Sequence, residues 1–151
     1  MQLKMTNSQL NQIVTLLTTI TISGAKANVA RYHVVKLLEP KSKDNEGARQ
    51  EILKQYALLD ETGQPTSDGA GQTIFTDMDA KNKCVSAIND MLAEQVAVTI
   101  DDYSLWFKRL FKALNVYDGP LDGAEAFAFG AFLDAIEITG VTKENNEKEG
   151  N

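Results

Sequence analysis

The residues able to do chemistry are few. His33 and Cys84 are the one histidine and one cysteine in the chain. A Ser-His-Asp or Cys-His arrangement would have to recruit His33, which lies beside Val34 and Val35 on an expected helix, and no Gly-rich nucleophile elbow accompanies it. One imidazole and one thiol also fall short of the three or four protein ligands of a zinc site. The loop starting at Asp60 is rich in oxygen donors. A twelve-residue calcium loop, however, needs glycine at its sixth place and glutamate at its twelfth. Pro65 and Gly71 stand there. The segment Gly69-Ala70-Gly71-Gln72-Thr73 lacks the lysine of a phosphate-binding loop. Glu51, Asp60 and Thr66 remain, two carboxylates and a hydroxyl, and glycosidic hydrolysis uses one protonated and one ionised carboxyl. Their surroundings do not favour it, since Ile52 follows Glu51 in mid-helix and Ser67-Asp68-Gly69-Ala70 follows Thr66. No catalytic, cofactor-binding or metal-binding residue is assigned, no cofactor is expected, and the chain is read as a non-enzyme.

Charge points instead to a macromolecular partner. The net charge of −6 argues against direct nucleic-acid binding, which needs surplus Lys and Arg to neutralise phosphates. The charge is uneven. Residues 1–54 hold eight Lys/Arg and four Asp/Glu, while residues 55–151 hold seven Lys/Arg and seventeen Asp/Glu. An acidic face of Asp77, Asp79, Asp101 and Asp102 is the expected partner-binding surface, and Trp106, expected in the core with Phe107 and Phe111, is the alternative aromatic anchor. Its expected partner is a protein carrying a basic groove of the kind that holds nucleic acid. Gly24 with Lys26, Arg31 and Lys36 invites a helix-turn-helix reading, but Thr and Ser surround the turn where tight packing wants Ala and Leu. A structural helical hairpin is expected there.

The elements that position these residues are mainly helices. Thr6 and Gln9 have capping-box spacing, and Leu10, Ile13, Val14, Leu17 and Ile20 follow at helical intervals, with Gly24 as the stop. A second helix is expected over 25–39, ended or kinked by Pro40, and a third over 44–59 with Ala48, Ile52, Tyr56 and Leu59 inward. Residues 60–71 read as loop and 72–76 as a short strand. A fourth helix, capped from Thr76, buries Val85, Ile88, Met91 and Leu92. Val96, Val98 and Ile100 alternate as a strand, expected to pair with 72–76 as a two-stranded ribbon. Asp101 or Asp102 caps a fifth helix with Tyr103, Trp106, Phe107, Leu110, Phe111 and Leu114 on its inner face. A sixth helix, 124–137, carries Phe127, Phe129, Phe132, Leu133 and Ile136. The fold class is thus mainly α, about six helices packed as one domain over 1–138 with a short β ribbon (72–76 with 96–100). Residues 139–151 read as a disordered polar tail, and no internal repeat is evident. No apolar run spans a bilayer, the first residues form no secretory leader, and a lone cysteine suits a reducing compartment, so the expected location is the cytoplasm.

Two resemblances bear on function. The spacing Glu51-x8-Asp60-x5-Thr66 resembles that of phage-type lysozymes, whose glutamate is followed by a glycine and whose threonine is followed by Gly-x-Gly-His. Neither is present here, so glycosidase activity is not expected. The broader resemblance lies in the order of TNSQLNQIVTLL, a helix ending KLLE, ARQEILKQYALLDETGQP, a ribbon strand, AINDMLAEQ, VAVTI and AFLDAIE. Over 6–137 this resembles a family of short uncharacterised proteins of tailed phages and prophages, known as a domain of unknown function. Its most specific segment is 48–65, where Arg49 to Lys54-Gln55-Tyr56 sits one residue off the usual Lys-Tyr pair. Pro40 with Lys41 and Lys43 interrupts what the family runs as one longer helix. The resemblance implies a phage or prophage context and no activity. The expected function is a non-enzymatic phage-encoded protein acting by protein–protein binding, a modulator or inhibitor of host defence machinery. The alternative is a virion assembly or structural component, located in the virion.

Overall fold

The computed structural model describes residues 1–143. Its elements run β1 (Gln2–Thr6), α1 (Asn7–Thr19), α2 (Ala25–Tyr56), α3 (Met78–Ala93), β2 (Gln95–Thr99), a 3₁₀ turn (Asp101–Tyr103), α4 (Ser104–Asn115) and α5 (Gly123–Thr139). Among the described residues the fold is therefore mainly helical, five α-helices around a two-stranded antiparallel sheet in one domain.

The sheet corrects the expected ribbon. β2 pairs with β1, not with 72–76, with Leu3 opposite Val98 and Met5 opposite Val96. Gln2-Leu3-Lys4-Met5-Thr6 alternates polar and apolar, so the pleat turns Leu3 and Met5 into the core and leaves Gln2 and Lys4 in solvent. Thr6 then starts α1 through the capping box: its hydroxyl accepts from the Gln9 N–H at 3.1 Å, and the Gln9 side chain accepts from the Thr6 N–H at 2.9 Å.

The expected helices 25–39 and 44–59 are one helix, α2, with Pro40 inside it. Pro40 lies on the exposed side, where its ring meets solvent and it forgoes one bond to the Lys36 carbonyl. At 32 residues α2 is about 48 Å long. Its first half buries Ala30, Val34 and Leu38 in the main core, and its last turns bury Leu53, while α3, which packs on α2, buries Cys84. Between them the half-buried Asn11 side-chain oxygen accepts from Ser42 at 3.1 Å and from buried Asn45 at 3.0 Å, tying α1 to α2. The inner face of the second half is thus set by Asn45 and Leu53, whereas Ala48 and Leu59 are exposed and Ile52 and Tyr56 half-buried. Gly24, at φ 95°, caps the start of α2 and does not end α1. Arg31 donates to the Ile20 carbonyl, and Asn28 donates to Ile22 and Gly24 at 2.8 and 2.9 Å. The turn is held by the arginine that a helix-turn-helix would aim at DNA.

Residues 57–76 form a closed hydrogen-bonded tip. The Thr66 N–H donates to Leu58, Ile74 to Thr66, and Leu58 back to Ile74, at 2.9, 3.0 and 2.9 Å, so three residues spaced by eight complete a ring. This exposes a repeat: Asp60-Glu61-Thr62-Gly63-Gln64 and Asp68-Gly69-Ala70-Gly71-Gln72 make the same turn twice. In each the aspartate carboxylate accepts two backbone N–H bonds of 2.8–3.0 Å, and the glycine sits at φ near 80°. The sequence expectation of no repeat is corrected, and 72–76 is occupied by this ring.

The remaining differences are of register. Asp77, not Thr76, caps α3, and Cys84 is its buried residue while Val85 is exposed. Neither Asp101 nor Asp102 caps α4: both lie in the 3₁₀ turn ahead of it, and the cap position is Tyr103, with no side-chain bond. α4 buries Phe107, Leu110 and Leu114; α5 buries Ala128, Phe132, Ala135 and Ile136 but leaves Phe127 in solvent. The fold continues past 138, because Thr139 is helical and Val141 joins the core. The rest of the expected tail, 144–151, lies outside the described residues. Replacement of the exposed Pro40 by Ala should stabilise the chain by about 1–3 kcal/mol, since it restores the missing helical bond. A lower midpoint in urea would show that α2 needs the proline to follow both of its packing surfaces.

Candidate protein-binding surface

The five residues expected at a partner surface do not form one. Asp77 is spent on its cap, accepting from the Ala80 N–H at 2.8 Å, and Asp79 pairs with Lys83 at 3.1 Å. That ion pair is the main reason the Lys83 ammonium titrates above its ordinary value. Both aspartates sit at the start of α3, beside the C-terminal end of α2, where Tyr56 acts on Lys83. Burial raises the Cys84 thiol on the same helix, with Arg49 opposing. Asp101 pairs with the Met1 amino group at 2.9 Å, and Asp102 is exposed beside it.

Trp106 is half-buried and packs on the edge of the core. One face stacks on His33 at 4.1 Å and 15°, and the Arg109 guanidinium lies 5.5 Å from the ring centre. Tyr32 meets His33 edge-on at 5.3 Å and carries Lys36 at 5.8 Å. The aromatic anchor is thus a strut between α2 and α4, with its π-faces engaged within the fold. His33 and Tyr56 are 23 residues apart on α2, about 35 Å along the helix. Trp106 with Asp101 and Asp102 therefore lies far from Asp77 and Asp79.

The candidate glycosidase carboxylates are also committed locally. Glu51 pairs with Lys54 at 3.4 Å, and the Thr66 hydroxyl donates to the Leu58 carbonyl at 2.8 Å. The Thr62 hydroxyl at 2.7 Å, then the Gln64 N–H, pull the Asp60 carboxyl below its ordinary value. A glycosidase proton donor needs the opposite shift.

Sequence reasoning missed a different surface. α5 is apolar around most of its circumference, and a helix of that kind usually has protein on all sides. Here β1, α1 and α4 cover one side only. Phe127 and Ile138 are each 83% exposed. Eleven residues apart, they lie within about 20° of each other around the helix, and Asp134 falls on the same line between them. The charged residues of α5 are Glu125, Asp134 and Glu137, all acidic. α4 is the electrostatic opposite, with Lys108, Arg109 and Lys112 and no acid. Beside it runs a groove of about 420 Å³ lined by Leu105, Lys108, Arg109, Phe111, Lys112 and Thr142. The legible signal was the near absence of polar residues in 123–139, read as core because Phe127 was assumed to face inward with Phe129, Phe132, Leu133 and Ile136.

A scan against protein-family models, a search of curated proteins and a search of solved structures each found no match to this chain.

Trp106→Ala should cost about 2–3 kcal/mol of stability, because it removes the stack on His33 and the packing between α2 and α4. Chemical denaturation measures it. An unchanged midpoint would return Trp106 to the role of a partner anchor.

Proposed function

We propose that this protein acts by binding another protein, without chemistry of its own, and that the outer face of α5 is the binding surface. The observation that carries this reading is the exposure of Phe127 and Ile138 on a helix whose composition suits burial on every side. Large apolar groups aligned on one exposed face are what an interface core requires, and the acidic residues around them favour a cationic counterpart. The phage or prophage context implied by the sequence resemblance accommodates this mode of action, as a modulator of host machinery or as an assembly component. The acid-rimmed α5 face replaces the dispersed set Asp77, Asp79, Asp101, Asp102 and Trp106 as the surface on which either role would depend.

The test places a photo-crosslinking amino acid at position 127 in cells that express the protein. Irradiation should yield a covalent protein adduct, and the same probe at Gln64, on the tip, should not. No adduct from position 127, or equal yields at both positions, would contradict the proposal.

A further inference from the structure

The outer faces of α4 and α5 match in a way that neither helix shows alone. On α5 the exposed line is Phe127, Asp134, Ile138; on α4 and its capping residue it is Leu105, Lys112, Val116. Both read apolar, charged, apolar, and both have steps of seven and then four residues. Such steps keep each line within about 40° of arc on one helix face. Leu105 is 50% and Val116 78% exposed, so all four apolar members are in solvent. The single difference is the sign of the central charge, Lys112 on one helix and Asp134 on the other. The α4 line lies opposite that helix's buried Phe107, Leu110 and Leu114, and the α5 line lies about 125° around the helix from the centre of its buried Ala128, Phe132, Ala135 and Ile136.

We propose that these faces bind each other between copies: α5 of one molecule docks along α4 of a second. This rests on the reading of α5 as a protein-binding face and names its partner as the chain itself. Alignment in the same direction sets Phe127 against Leu105, Asp134 against Lys112 and Ile138 against Val116. The reverse direction breaks the register, because four-then-seven does not match seven-then-four. Phe127 then enters the groove beside Leu105 and Phe111, whose rim is Lys108, Arg109 and Lys112. Pairing α5 with another α5 along this line is disfavoured, since a parallel match sets Asp134 on Asp134 and an antiparallel one leaves the two within about one turn of each other, with no cation on either helix. A contact between two different helices is heterologous. Each copy keeps a free α4 or α5 face for the next, so the product is a ring or an open chain.

The test is a charge-reversal cycle read by sedimentation velocity over a range of protein concentrations. The wild type should form species larger than a monomer as concentration rises, and less so at high salt. Asp134→Lys and Lys112→Asp should each weaken association at least about 10-fold, because each sets like charges opposite one another. The chain carrying both changes should recover it, as should an equimolar mixture of the two single variants. Both side chains are on outer helix faces, and circular dichroism should show every variant folded. A wild type that stays monomeric, single variants that associate normally, or a double variant that stays weak would each overturn the proposal. A monomeric wild type together with an adduct to another protein from position 127 would remove the second-copy inference and leave the protein-binding reading in place. Failure of both experiments would remove the two together.

Discussion

The pairing of Gln2–Thr6 with Gln95–Thr99 is the contact on which the rest of the structure depends. It closes a loop of almost a hundred residues, and its closure entropy has to be offset by what the ladder brings together. The gain is a shared apolar face. Leu3, Met5 and Val98 enter the core, Ile100 follows at the strand's end, and α1 leaves directly from the ladder through the Thr6 cap. α5 packs on β1 and α1, so the strand at the beginning of the chain is the floor for the helix near its end. One side of α5 is anchored by this arrangement and the other is left facing solvent.

α2 extends the structure beyond that core. Its first half packs on α1 and on α4, the latter including the stack of His33 on Trp106, and it also packs on α3; Leu53 of α2 and Cys84 of α3, in that helix pair, are buried outside the main cluster. The tip of 57–76 crowns this pair and is built from backbone bonds and two aspartate turns more than from apolar burial. The acidic residues near the tip cap, pair and turn. This is why their abundance in the second half of the chain does not amount to one acidic face.

Local physics was readable from the residues and long-range pairing was not. The Thr6–Gln9 box, the inner face of α4 and the strand at Val96 and Val98 all rest on spacing within a few residues, and the structure has them. The strand's partner was misassigned because 72–76 and 2–6 are both five-residue segments with two large apolar side chains, and nothing in β2 tells which will reach it. Pro40 was read as a break because its cost is local, whereas its compensation, Val34 and Leu38 before it and Asn45 and Leu53 after it, is tertiary. The eight-residue repeat was masked because Glu61-Thr62 and Gly69-Ala70 differ while the residues that shape the turn, Asp, Gly and Gln, recur. For α5, composition announced burial but could not say by what.

That last point separates the fold from its function. Within a single chain the apolar side chains of α4 and α5 that face outward are unfavourable to leave in water, and the Lys and Asp set among them are costly to bury unless opposed. Both penalties are relieved when the two faces meet. Hydrogen–deuterium exchange of the wild type in dilute and in concentrated solution tests this most directly. The account predicts that exchange slows with concentration in Ser104–Asn115 and Gly123–Thr139 and is unchanged in the tip at 57–76. Exchange in α5 that is indifferent to concentration, or protection that develops at the tip instead, would contradict it.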